Sequence, residues 1–183
     1  KTSLDCHASV NNCMVFGAPA RFSVEEGIGY YVTKDECLEI LKQTEKEGLI
    51  HCTQNTYDKQ GFICNCCACC CGIISTAIKY NTMSMFQESD YVPVVDLESC
   101  SHCKKCVKYC SFHALMYKSG EKEDKSDDTI IVREDVCIGC GVCASNCPTG
   151  SITLKKIHDN QPAGSFVEGI MRMMNERKEY VTT

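Results

Sequence analysis

Apolar residues in this chain come in runs of four or five rather than long stripes. Tyr91–Val95, 114–117, Thr129–Val132 and 151–154 are each rich in Val, Ile, Leu or Tyr and bounded by polar or small residues, which predicts four short strands. A helical period shows elsewhere. Thr33-x-x-Glu36 is a capping box that opens a helix running to about Gly48, with Cys37, Leu38, Leu41 and Thr44 on one face and Gly48 as its stop. Ser23-x-x-Glu26 resembles a second cap, but Gly27 and Gly29 follow closely, so the helix there is expected to be short or absent. Residues 72–80 read as a helix, and Phe166, Ile170, Met173 and Met174 recur at helical spacing near the end.

The strands belong to an internal repeat. Residues 95–117 and 132–154 align with an offset of 37, so that Val95 matches Val132, Cys100 matches Cys137 and Cys110 matches Cys147. Each copy predicts a strand, a cysteine loop, a short helix running through its last cysteine, and a second strand. Between the copies, 119–128 is nearly all charged or small and reads as a solvated loop.

Composition changes the picture in one respect. The net charge of −5 over 183 residues argues against a nucleic-acid surface, but 18 residues are cysteine. Cysteines in tight repeated triplets suit disulfide geometry poorly, and no charged-then-apolar secretory leader is visible. No run of 18 apolar residues predicts a membrane span. Thiolates kept as metal ligands imply a reducing compartment, hence the cytoplasm.

The spacing of the cysteines carries the chemistry. Cys100-x2-Cys103-x2-Cys106-x3-Cys110 and Cys137-x2-Cys140-x2-Cys143-x3-Cys147-Pro148 match the motif of bacterial ferredoxins that hold two cubane 4Fe–4S clusters. In that motif a triplet wraps three irons, and the fourth cysteine crosses to the other cluster. The assignment is therefore Cys100, Cys103, Cys106 and Cys147 for one cluster, and Cys110, Cys137, Cys140 and Cys143 for the other. Gly139 and Gly141 let the second loop approach closely. The first copy has Ser111 where the second has Pro148, which removes no ligand. His102, Lys104 and Lys105 lie in the first loop, where the second has Gly139, Gly141 and Val142. More donors and positive charge there predict a higher potential for the first cluster.

A third group, Cys64-Asn-Cys66-Cys67-Ala-Cys69-Cys70-Cys71, contains the triplet Cys64, Cys67, Cys70. It needs a remote fourth thiolate, for which Cys6, Cys13 and Cys52 are candidates. Other frames through Cys66 and Cys69 stay open, and zinc is the rival to a third cubane. Cys37 with the Cys70-Cys71-Gly72 run resembles half of a non-cubane cluster motif, but the downstream half is missing and Cys37 fits the core face of its helix. No nucleophile–base constellation, phosphate loop or flavin fingerprint is present.

Residues 91–157 resemble the two-cluster ferredoxin domain. Cys13-Met14-Val15-Phe16-Gly17, Ala20-Arg21-Phe22-Ser23-Val24-Glu25-Glu26, Gly48-Leu49-Ile50-His51 and Ile63-Cys64-Asn65-Cys66-Cys67-Ala68-Cys69-Cys70 are similar to iron–sulfur proteins of anaerobic bacteria that carry a cysteine-rich domain ahead of the ferredoxin part. Among these, the chain most resembles the small electron-transfer subunits of tungsten-dependent, class II benzoyl-CoA reductases. The resemblance implies three 4Fe–4S clusters, with Cys13 completing the third alongside Cys64, Cys67 and Cys70. It also implies an electron-donating protein on one side and, on the other, a large tungstopterin subunit of the aldehyde oxidoreductase family.

The expectation is thus an α+β iron–sulfur protein: a cysteine-rich, partly helical domain over 1–90, a two-cluster ferredoxin domain of two strand–loop–helix–strand repeats over 91–157, and a C-terminal docking helix over 158–183. It would act as the electron-transfer subunit of an oxidoreductase complex and not be catalytic alone. A freely diffusing ferredoxin and a mixed zinc and iron–sulfur module are the alternatives.

Overall fold

The computed structural model describes residues 6–181 apart from 59, 84, 85, 88 and 123–126, and the backbone alone at 173 and 176–181. The 119–128 loop and the Met173 side chain therefore lie partly or wholly outside the described residues.

The ferredoxin-like half is built from β4 (Tyr91–Val95), α4 (Lys105–Tyr109), β5 (Leu115–Lys118), β6 (Thr129–Val132), α5 (Val142–Ser145) and β7 (Ile152–Lys156). Ahead of it lie β1 (Met14–Val15), α1 (Ala18–Glu25), α2 (Lys34–Lys46), β2 (Ile50–Thr53), β3 (Phe62–Cys66) and α3 (Gly72–Tyr80), and α6 (Phe166–Val181) follows.

Strands pair between the repeat copies, a choice the apolar runs left open. β4 pairs antiparallel with β7, Tyr91 opposite Lys156 and Val95 opposite Ile152. β5 pairs with β6, Leu115 opposite Val132 and Lys118 opposite Thr129. Two ribbons tied at opposite ends of the repeat enclose a small core of Ala114, Leu115, Ile130, Cys143 and Ile152. The helices stop earlier than expected: α4 ends on Cys110 as its cap, and α5 ends at Ser145, before Cys147.

The repeat is also written in the backbone. His102, Lys104 and His113 have φ of 51°, 61° and 53°. Their counterparts 37 residues further on, Gly139, Gly141 and Gly150, have φ of 61°, 78° and 66°. The second copy meets each left-handed position with glycine, which adopts it without a Cβ clash. The first copy does so with residues that are strained there.

Residues 6–83 contain more sheet than expected. β1, β3 and β2 form an antiparallel sheet in that order. The Cys64–Cys71 run thus begins on a central strand and ends at the cap of α3, where the Cys71 thiol accepts from the Ile74 N–H. The capping box forms as predicted: the Thr33 hydroxyl accepts from the Glu36 N–H at 3.3 Å, and the Thr33 N–H donates to the Glu36 carboxylate at 2.7 Å. Thr44 is buried on α2, whereas Leu38 is exposed. The helix α1 contains Ser23 instead of starting at it. It begins after Gly17, with Pro19 in its first turn, because a proline fixed at a helical φ suits the position where no N–H partner is needed.

The two halves share a second core, in which Ile50 and Ile74 meet Phe112 and Val142. Around it the Ser145 hydroxyl donates to the Glu45 carboxylate at 2.6 Å, and Asn146 Nδ2 donates to the Glu45 carbonyl at 3.0 Å. Gly48 ends α2 at φ 76°, and a Cβ there would stand 2.7 Å from the Tyr109 ring.

Gly48→Ala is therefore expected to cost about 1–3 kcal/mol, from left-handed strain plus the ring clash, read as a lower denaturation midpoint under anoxic conditions. His113→Gly should act oppositely and raise stability by up to about 1 kcal/mol, because the exposed His113 side chain occupies a left-handed position.

Candidate iron–sulfur sites

Two cavities open in the ferredoxin-like half. One has Cys100, Cys103, Cys106 and Cys147 in its wall. The other has Cys110, Cys137, Cys140 and Cys143. Each takes three cysteines from one copy and the last from the other. The cross-paired ribbons account for this: β5 leaves Cys110 beside the 137–143 loop, and β7 begins just past Cys147, beside the 100–106 loop. No disulfide joins any of these thiols.

The walls differ. In the first cavity, the Cys103 thiol is drawn below its ordinary range by the Lys105 N–H, the Ser101 hydroxyl and the Lys105 charge. Burial pushes Cys147 up, but the hydroxyls and N–H groups of Ser151 and Thr149 outweigh it and bring the thiol down to about 7. The Ser151 and Thr149 hydroxyls lie 3.3 and 3.6 Å from Cys147 Sγ. Burial raises Cys106 in the same cavity. In the second cavity burial dominates: it raises Cys137, and it pushes Cys143 up to about 12 with the neighbouring thiols adding to the shift. Ile138, Val142 and Leu154 make that wall apolar.

The first cavity also contains an unanswered polar atom. His102 Nδ1 is buried in its wall with no hydrogen-bond partner among the described residues. A buried ring nitrogen without a partner is costly, and a sulfide-bearing group in that cavity would supply one. The four thiolates, the space between them and this orphaned nitrogen fit an iron–sulfur cluster. Lys104 lies in the same wall, and its ammonium stands 3.7 Å from the centre of the Tyr117 ring, whose hydroxyl bonds the buried Asp128.

The cysteines of residues 6–83 fall into two groups. On the sheet, Cys52 stands opposite Cys64. One step beyond the Met14–Ile63 pair, Cys13 comes opposite Cys64 from the other side. Residues directly opposite share a face, so these three thiols form a row, with Cys66 two positions along on the same face. Cys52, Cys66 and Cys71 pack into the shared core beside Cys110 and Ile138 of the second cavity. Burial pushes Cys52 up to about 11, with contributions from Cys71, Cys64 and Cys140. Asn65 anchors the row: its Nδ2 donates to the Asn12 carbonyl at 2.5 Å and its Oδ1 meets His51 Nδ1 at 2.5 Å.

The other group sits in the turn after β3, where the thiols of Cys6, Cys67, Cys69 and Cys70 all lie within 4.8 Å of one another. Of the four residues expected for a third cluster, Cys13 and Cys64 therefore stand together on the sheet, and Cys67 and Cys70 stand together in the turn. In the sequence Cys6 is only one of three candidate fourth ligands, and Cys69 only part of an alternative frame. Their meeting depends on a contact across 61 residues that no local spacing reports.

Comparison with known proteins agrees with the two cavities. Residues 99–151 match the family model described as a 4Fe-4S dicluster domain. The protein is 31% identical over 97 residues to an uncharacterized ferredoxin of Methanocaldococcus jannaschii, covering 51% of each chain. It is 33% identical over 73 residues to an archaeal-type glutamate synthase (NADPH) of Dehalococcoides mccartyi, covering 40% of this chain and 13% of that protein. It is 40% identical over 55 residues to the B subunit of the anaerobic dimethyl sulfoxide reductase of Escherichia coli, covering 29% of this chain and 23% of that subunit. The matched part thus spans about half the length of the ferredoxin and less of the others. Among the described residues no helix is long and apolar enough to cross a membrane. Two cysteine-walled cavities, a matching family model and these relatives identify residues 99–151 as a 4Fe–4S dicluster domain of the ferredoxin type, homologous to iron–sulfur proteins of electron transfer.

Proposed function

We propose that this chain relays electrons to a catalytic partner, with Cys100, Cys103, Cys106 and Cys147 holding one cluster and Cys110, Cys137, Cys140 and Cys143 the other. The observation that carries the reading is that each cavity is walled by three cysteines of one motif and the fourth of the other. Such clusters, when bound, take up and release single electrons. The protein's own part is to hold them, limit water and set the surrounding charge. The first wall offers the Ser151 and Thr149 hydroxyls and His102 Nδ1. The second offers apolar side chains and buried thiols. Added negative charge is therefore better tolerated at the first site, which puts its potential above that of the second.

The finer reading extends this relay. A third cluster within residues 1–90 would draw on the thiols that converge around Cys64, and Cys52 adjoins both that group and the Cys110–Cys143 wall. The sequence resemblance supports a tungstopterin partner of the aldehyde oxidoreductase family that reduces benzoyl-CoA, and a cytoplasmic complex. The homology to one subunit of a reductase supports a partner of some kind. So does α6, where Phe166, Ile170 and Met174, four residues apart, are exposed. Catalysis is assigned to the partner.

Redox titration followed by EPR should resolve two midpoints in the dicluster domain, the higher belonging to the Cys100–Cys106 site. His102→Ala should lower that midpoint by about 40 mV, the equivalent of one hydrogen bond of about 1 kcal/mol, and leave the other unchanged. A lower midpoint at the first site in the wild-type protein overturns the ordering. Anoxic purification should yield about 12 cluster irons per chain for three cubanes, and about 8 if only the dicluster domain carries them. Native mass should show a larger complex, and a stable lone monomer after gentle purification counts against the subunit reading.

A further inference from the structure

The turn after β3 contains thiols that the two-cluster reading does not use. Cys6 and Cys67 Sγ are 3.6 Å apart, Cys67 and Cys69 3.5 Å, and Cys69 and Cys70 3.9 Å. All four atoms fit within 4.8 Å of one another, and among the described residues this is the single group of three or more potential ligands so compact. The dicluster cysteines behave differently, standing apart around open cavities.

The separations carry information about what fits. Four sulfurs about 2.3 Å from one tetrahedral ion form a tetrahedron with edges of about 3.8 Å. Three of the six edges, at 3.5–3.9 Å, match that value, and the other three are no longer than 4.8 Å. A cubane places a separate iron beneath each thiolate, so its ligands must stand much further apart. The local sequence speaks against a cubane: Cys69 and Cys70 are adjacent and Cys67 is two residues before Cys69, tighter than the x2 spacing that wraps a cubane corner by corner and tighter also than the usual pairs of a zinc site, so the geometry of the folded turn carries the assignment. The Cys70 N–H points at the Cys67 thiol, as amides around metal-bound sulfur do.

We infer that Cys6, Cys67, Cys69 and Cys70 form a mononuclear tetrathiolate site for one thiophilic divalent ion, zinc or iron. It is distinct from both cavities and from the row around Cys64. The site has structural work to do. Cys6 is held to the turn across 61 residues, and among the described residues of the N-terminal half the buried apolar ones are few: Met14, Leu49, Ile50, Ile74 and Ala77 besides Cys6 itself. A small core of this kind gains most from a metal staple, because binding free energy becomes folding free energy. The ion would pin the first described residues to the turn between β3 and α3, and so fix both the Cys64 row and the Cys71 cap on either side of it.

Metal analysis of wild type, Cys69→Ser and Cys13→Ser, each as the full chain purified anoxically with any partner that accompanies it, decides the matter. Cys69 is exposed, so its replacement spares the core. The expected result is about one zinc per chain, or one iron in excess of the cluster iron, lost in Cys69→Ser while its cluster iron and sulfide stay at the wild-type level, and retained in Cys13→Ser whatever that change does to the cluster iron. X-ray absorption at the edge of that metal in the wild-type protein should show four sulfur neighbours at about 2.3 Å, a readout that does not depend on any variant folding. Loss of about four irons and four sulfides in Cys69→Ser overturns the inference in favour of a cubane on these thiols, and so does a wild-type protein with no such ion. A shortfall in total cluster iron with this ion present sinks the third cluster but leaves the mononuclear site standing.

Discussion

Everything in the ferredoxin-like half depends on how a repeat can close on itself. Each copy supplies three cysteines in one loop and a fourth four residues on, past a short helix that carries it away from its own loop. The pairing of β4 with β7 and of β5 with β6 resolves this, because each ribbon joins a strand of one copy to a strand of the other. Cys110 and Cys147 are thereby exchanged between the cavities. The few residues of the core, Ala114, Leu115, Ile130 and Ile152, fill the space between and line one cavity or the other. A slip of one residue in either ribbon would turn these side chains outward and carry a cysteine away with them.

The same economy governs the join to the N-terminal half. Ile50 and Ile74 come from one half, and Phe112 and Val142 from the other. Phe112 and Val142 also line the second cavity, so that cavity is shielded partly by residues that the N-terminal half holds in place. The first cavity has no such cover among the described residues. Its Cys103 is exposed, and its wall contains hydroxyls and an imidazole. Asymmetry between the sites therefore arises from which one is sandwiched, and loop composition reinforces it.

Much of the ferredoxin-like half is legible because its signals are local. Strands β4 and β6 fall where the apolar runs end against Asp and Arg, and in the N-terminal half the Thr33 capping box and the Gly48 stop bound α2. Less local features escape a reading of the sequence. The sheet of β1, β2 and β3 contains His51, Asn65 and three cysteines at positions where a buried strand is expected to show aliphatic residues, so its pattern does not read as a strand. Helix α1 is obscured by the Ser23-x-x-Glu26 pattern, which mimics a cap inside a helix that Pro19 has already begun.

Ligand chemistry is written in the order of residues: two motifs with an offset of 37, the cofactor they suit, and the expectation that their last cysteines exchange. Spacing of two and three residues sets how a backbone wraps a cluster, and such short-range geometry survives in one dimension. How the remaining cysteines divide is a matter of the folded protein alone. Cys64 faces Cys52 and Cys13 because of strand register, and Cys6 meets Cys67 because a distant segment folds over the turn after β3. Thiols 61 residues apart leave no trace in local spacing, since the intervening backbone can close in many ways and packing selects one.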